Sequence, residues 1–209
     1  MRAFRSSLAQ GVAALKHVNE RVDVGAADRV VDSLVRCTGR RFTTGIGKSG
    51  QAAQRMASSL TSIGLAAHFV HGSEWAHGEM GAVSGGDLIL AVSHSGTTDE
   101  LLWLASQLQT RPDAVALLAL TGGPSTPLAR RSTLSLACEV PENSEALGLL
   151  PTSSTLAAHH VFNALLSECA DRVDLTREQI LAHHPGGGIG ARLRAEALSG
   201  RRADGPDAR

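Results

Sequence analysis

The chain carries no excess charge of either sign: 20 Lys and Arg stand against 20 Asp and Glu, a formal net charge of zero. That removes the basic footprint expected of a nucleic-acid-binding protein or of one held to an anionic membrane. No apolar run approaches the roughly 18 residues of a membrane helix. The start, Met1-Arg2-Ala3-Phe4-Arg5-Ser6-Ser7, lacks the apolar core of a signal peptide. Cysteine is scarce as well. Cys37, Cys138 and Cys169 are odd in number and have no metal-type spacing. They suggest reduced thiols in a cytoplasmic protein rather than a disulfide framework. Internal repeats and a second domain are absent from the pattern.

What is present is ordinary globular material. The 209 residues are 43% hydrophobic and 19% charged, which fits one domain with a sizeable core. Neutrality gives little colloidal repulsion, in keeping with an oligomer.

The periodicity of apolar residues orders the chain. Leu8, Val12, Leu15 and Val18 recur at helical spacing, and after a break near Gly25 the pattern resumes at Val30, Val31, Leu34 and Val35. Strands are expected at 40–45, 66–70, 88–93, 114–120 and 134–138. Helices are expected at 51–62, 99–108, 128–131 and 153–171. Strands alternating with helices imply an α/β fold, a doubly wound, flavodoxin-like, five-stranded parallel sheet flanked by helices, with ligands at the carboxyl ends of the strands. His183 to Gly190 reads as non-helical, and the last ten residues as disordered.

Three polar turns lie at such ends. The run Leu88–Val92 breaks into Ser93-His94-Ser95-Gly96-Thr97-Thr98 before a helix begins. A hydroxyl-rich turn entering a helix offers free N–H groups and a positive dipole end, which suits a phosphate held without a metal. Thr97-x-x-Glu100 is also a formal capping box. Gly45-x-Gly47-x-x-Gly50 formally matches a dinucleotide fingerprint, but the second strand runs into His71 instead of an acidic residue for a ribose. It is not a Walker loop either, since Phe42 stands where the first glycine belongs. The simpler use is a tight turn bringing backbone and Lys48 to an anion. Pro151-Thr152-Ser153-Ser154-Thr155 opens the last long helix in the same way. His71, Glu74, His77 and Glu79 crowd one loop, but no fourth ligand of fixed geometry is evident, so no metal is expected and His77 and Glu79 are read as lining a site. His184, ahead of Pro185 and three glycines, is the histidine best placed to be presented by a rigid non-helical turn, and histidine is the side chain suited to proton transfer near neutrality.

In order, Gly45-Ile46-Gly47-Lys48-Ser49-Gly50, Ala76-His77-Gly78-Glu79-Met80-Gly81, Ser93 to Glu100, Leu147-Gly148-Leu149-Leu150-Pro151-Thr152-Ser153-Ser154-Thr155 and His184-Pro185-Gly186-Gly187 resemble the sugar isomerase (SIS) domain of bacterial D-arabinose-5-phosphate isomerases. The resemblance covers about residues 40–192. The chain thus divides into N-terminal helices over 1–38, read from periodicity as packing on the domain, an isomerase domain at 39–192, which the resemblance implies, and a polar tail at 193–209 expected to be disordered. The resemblance implies interconversion of D-ribulose 5-phosphate and D-arabinose 5-phosphate without a cofactor, feeding the eight-carbon sugar acid of lipopolysaccharide. It also implies a homotetramer with sites at subunit interfaces. Other sugar phosphates, of the hexulose 6-phosphate or heptose phosphate type, and a non-catalytic sugar-phosphate sensor remain open. The tandem CBS modules usual after His-Pro-Gly-Gly give way here to the polar tail. Asn143 stands where the family has an acidic residue, with Glu142 and Glu145 flanking it; His94 stands where Asn is common, and Glu79 where Asp is usual.

The functional residues implied by position are Lys48, His77, Glu100 and His184. An aldose–ketose exchange moves one carbon-bound proton and one hydroxyl proton and stabilises an enediol. Glu100 and His184 would be the acid–base pair, and His77 would orient the sugar or assist ring opening. Lys48 would stabilise the anionic intermediate or the phosphate. Gly47, Ser49, Ser93, Ser95, Thr98, Ser153, Ser154 and Thr155 would hold the phosphate and hydroxyls.

Overall fold

The computed structural model describes residues 1–198. Five strands, β1 (Arg41–Gly45), β2 (Ala67–His71), β3 (Leu88–Ser93), β4 (Ala116–Thr121) and β5 (Leu134–Ala137), form one sheet in the order β2-β1-β3-β4-β5. Every pairing is parallel. The doubly wound, flavodoxin-like α/β fold is therefore the observed one.

Parallel strands covered on both faces must be apolar throughout. All six residues of β3 are buried, and its side chains alternate between two cores. Leu88, Leu90 and Val92 pack under α2 (Val24–Arg36), α3 (Gly47–Ser62) and α6 (Ser153–Arg172). Ile89 and Ala91 pack under α4 (Asp99–Gln109) and α5 (Pro127–Arg131). Each such aliphatic side chain contributes about 1.5–3 kcal/mol by leaving water. α1 (Arg2–Arg21) buries only Ala14 and Val18 and packs on α6.

Several boundaries differ from the sequence pattern. The break between the first two helices falls at Val22–Asp23, because the Asp23 side chain accepts the Ala26 N–H at 2.9 Å and caps α2; Gly25 lies inside the first turn. α3 starts at Gly47, four residues before the expected Gln51. Residues Gly187–Gly190, expected to be non-helical, open α8 (Gly187–Leu198). Gly187 takes a left-handed φ of 64° after the Pro185 turn, and from there the small residues run on as helix. The expected polar, disordered tail at 193–209 is helix up to Leu198, and the rest of it lies outside the described residues. A short helix, α7 (Arg177–His183), is closed at its start by a Thr176–Gln179 capping box. The loop between β2 and β3 contains two single-turn 3-10 helices, Glu74–His77 and Glu79–Ala82. Trp75 anchors it: the ring is buried and its Nε1 donates to Thr44 Oγ1 at 2.8 Å.

Candidate active site

Glycine geometry joins β1 to α3. A Cβ on Gly45 would lie 2.9 Å from the Val92 carbonyl oxygen, and one on Gly50 would lie 2.8 Å from the Gly45 carbonyl oxygen. Gly47 has φ of 58°, a left-handed conformation costing other residues about 1–2 kcal/mol. The missing side chains let the helix begin directly against the strand end. Lys48, exposed, and Ser49, half-buried, therefore sit on the first turn of α3, where N–H groups are free and the dipole is positive.

The hydroxyl turn after β3 is held by its own bonds. Ser93, buried, has its Oγ 2.9 Å from Thr98 Oγ1 and accepts the Gly96 N–H at 3.1 Å. Ser95 Oγ accepts from the Thr97 N–H at 3.3 Å and the Thr97 hydroxyl at 3.0 Å, which leaves its own proton to donate outward. The Thr97–Glu100 capping box does not form. α4 is capped by Thr98, whose hydroxyl is engaged with Ser93 and not with the helix. Glu100 is accordingly exposed and without a capping role.

The start of α6 already holds an anion. Glu145 accepts backbone N–H groups of Thr152 at 2.6 Å, Ser153 at 2.9 Å and Ser154 at 2.9 Å, and the Thr152 hydroxyl at 3.0 Å. Burial alone would raise its pKa; the hydrogen bonds from Ser154 and Thr152 outweigh burial and hold it below the ordinary carboxylate value. The Ser153 hydroxyl donates to the Ser144 carbonyl at 2.8 Å and the Thr155 hydroxyl to the Pro151 carbonyl at 3.0 Å. Of this trio, Ser154 and Thr155 reach the pocket and Ser153 braces the loop before it. Asn143 and Glu142 are exposed.

These pieces enclose a pocket of about 210 Å3 at the carboxyl ends of the strands. Lys48, Ser49, His94, Thr121, Ser154 and Thr155 supply its polar lining; Ala52, Val92, Leu120 and Cys138 supply an apolar wall. Burial pushes the Cys138 thiol up to about 12, so it stays protonated. The His94 pKa is lowered by burial, partly offset by the nearby Glu145 carboxylate. Among the described residues no group of His, Cys, Asp or Glu is arranged to hold a metal ion.

Not every expected residue is gathered. Glu100 lines a separate shallow groove with Gly72, Ala76, Asp99 and Trp103. His77 is exposed at the end of the adjoining 3-10 turn. His184, half-buried at the end of α7, lies far away. Its neighbour His183 is 3.1 Å from the Ser62 carbonyl at the end of α3, and Lys48 stands at the other end of that helix, roughly 20 Å distant at 1.5 Å per residue. His94 and Glu145, which the sequence offered only as departures near the site, take defined places: His94 lines the pocket and Glu145 lies behind its Ser154 wall. His94 was legible in principle, because it continues the Leu88, Leu90, Val92 face of β3 past the strand end. The choice of Glu145 over Glu142 was not, because it depends on how the loop folds back onto α6.

The SIS domain family matches residues 34–168. The chain belongs to that family. Arabinose 5-phosphate isomerase KdsD of Salmonella typhi is 36% identical over 162 residues, 78% of this chain and 49% of the relative. KdsD of Pseudomonas aeruginosa is 34% identical over 165 residues, 79% of this chain and 50% of the relative. The chain thus spans about half the length of these curated relatives. An E. coli CFT073 protein solved in complex with arabinose 5-phosphate superposes with a TM-score of 0.81 at 27% identity, covering 87% of this chain and 95% of that one. Among the described residues of this SIS chain, no helix is long and apolar enough to cross a membrane.

Proposed function

We propose that this chain is a cofactor-independent aldose–ketose isomerase interconverting D-ribulose 5-phosphate and D-arabinose 5-phosphate through an enediol. The observation that carries it is the facing of Lys48 and Ser49 on α3 with Ser154 and Thr155, at the start of α6 that Glu145 caps, across one small pocket. A cation for a developing oxyanion and a carboxylate for a carbon-bound proton are what the exchange needs. The names of the relatives support the substrate. In this reading Glu145, rather than Glu142, stands in for the acidic residue replaced at Asn143. Ser49, Ser95 and Ser154 bind phosphate and hydroxyls, while Ser93 and Thr98 fix the shape of the turn.

The reading extends to a homotetramer with sites shared between subunits. Glu100, His77 and His184 are exposed or remote from Lys48 within one chain, so they join a site only through a second copy. An apolar strip supports such a copy beside the pocket: Phe4, Leu8 and Val12 of α1, with Leu147, Leu149 and Leu156, are exposed. The departures at His94 and Asn143 favour one second reading, an isomerase of the same kind acting on a hexulose 6-phosphate or heptose phosphate.

The test is incubation with D-ribulose 5-phosphate in deuterated water with EDTA present, followed by NMR. D-arabinose 5-phosphate carrying deuterium at C2 is the expected product. Absence of turnover with a ligand-induced thermal shift would overturn it in favour of a sugar-phosphate sensor.

A further inference from the structure

His94 occupies the variable position of the Ser-x-Ser turn, and its side chain enters the pocket beside Lys48, Ser49 and Ser154. Gly122 fixes the ring. A Cβ there would lie 2.5 Å from His94 Cε1 and 2.6 Å from Nδ1, and the Gly122 N–H donates to the His94 carbonyl at 2.8 Å. The ring thus lies with its Nδ1–Cε1 edge against bare backbone. Among the described residues, no protein group hydrogen-bonds either ring nitrogen. A ring held in place, accessible to the pocket and without an internal partner is available to a bound molecule.

We propose that His94 is a substrate-contacting acid–base residue that carries the hydroxyl proton of the bound sugar phosphate between O1 and O2. The proposal rests on the isomerase reading and adds a group to its chemistry. The charged and titratable groups facing the ring are Lys48 from α3, Glu145 from the loop before α6 and the Cys138 thiol after β5. Glu145 favours an imidazolium, and the thiol is neutral. Burial lowers the pKa of the ring against the pull of Glu145 and so favours the neutral form.

The step balances in that state. Removal of the C1 proton of the ketose by a carboxylate places the electron pair in a C1–C2 double bond and the carbonyl pair on O2, opposite Lys48. The neutral imidazole takes the O1 proton through its lone pair, and the imidazolium gives that proton to O2. The O1 pair reforms a carbonyl at C1, and C2 receives a proton from the carboxylate, whose proton has exchanged with water during the enediol stage. The ring ends as it began, and no oxidant or reductant is involved.

The experiment is steady-state kinetics on D-ribulose 5-phosphate from about pH 5 to about pH 9 for the wild type, His94→Asn and His94→Gln, with melting curves to establish folding. Because the neutral ring is the acceptor, wild-type kcat falls as pH drops through the His94 pKa. Both variants should lose that limb and lower kcat by about 10²–10⁴-fold, with KM changed only a few-fold. A folded variant with wild-type kcat, or one altered in KM alone, overturns the role of His94. If Asn and Gln both fail to fold, the His94 ring resonance is followed by NMR in the wild type: a shift in its titration on adding inorganic phosphate is expected, and an unmoved titration overturns the proposal. A wild type inert on every sugar phosphate overturns the isomerase reading itself, which is a separate result.

Discussion

The Glu145 carboxylate receives the Ser154 N–H at 2.9 Å, at the open end of α6. One residue thereby closes a helix terminus and fixes Ser154, which lines a pocket that also carries Lys48. The same carboxylate holds the amides of Thr152 and Ser153, so the loop from Cys138 to Pro151 is tied to the helix it precedes.

Glu145→Gln is expected to lower stability at neutral pH by about 1 kcal/mol, since it removes a negative charge from a helix start. The folded carboxyl lies below its ordinary value of 4.5. Its contribution is therefore complete above that value and is lost as pH falls through the lowered folded value. Melting temperatures of the two proteins should differ at pH 7 and converge at acid pH. A constant gap across the range would contradict the linkage. Under the isomerase reading the variant also loses about 10²–10⁴-fold in kcat.

Lys48→Ala removes an exposed side chain from the first turn of α3. The melting temperature should stay within a degree or two, because exposed sites away from caps rarely change stability by more than about 0.5 kcal/mol. Turnover should fall by about 10²-fold or more, measured as kcat. Retained kcat would remove Lys48 from the chemistry.

His184→Asn tests whether the site is shared. Alone, it and Lys48→Ala should each be nearly inactive. When the two variants are refolded together, an interface between unlike chains contains one intact site, and turnover should reappear above the sum of the separate proteins. A mixture no more active than that sum would show that His184 serves no site across an interface.

Trp75→Ala should cost about 3–5 kcal/mol in urea unfolding, from the cavity left by a fully buried ring. Thr44→Val should cost about 1–3 kcal/mol, because it strands the buried indole N–H that Thr44 Oγ1 accepts. Equal stability in the valine variant would mean the indole finds another partner.

The sequence was most informative where one physical rule acted alone. β3 could be placed residue by residue because a strand buried on both faces must be an unbroken apolar run, as Leu88 to Val92 is. The parallel sheet followed from alternation of elements. Helix starts were harder. α3 began before its apolar pattern did, because glycines at 45, 47 and 50 permit a close approach that periodicity does not register. The expected Thr97–Glu100 cap of α4 failed because the helix begins after Thr98 and the Thr97 hydroxyl donates to Ser95.

For the site, sequence by itself determined which chemistry the chain carries: a lysine among glycines, hydroxyl-rich turns and a histidine ahead of a proline, all tied to strand ends or helix starts by local rules. Tertiary structure decided which of these meet. It brought Lys48, Ser49, Ser154 and Thr155 to one pocket, added His94, set Glu145 behind Ser154, and left His184 at the far end of α3. The reason is range. Periodicity and capping act over a few residues, whereas the meeting of Glu145 with α6, or the distance of His184 from Lys48, depends on loop paths and helix lengths that no local preference encodes.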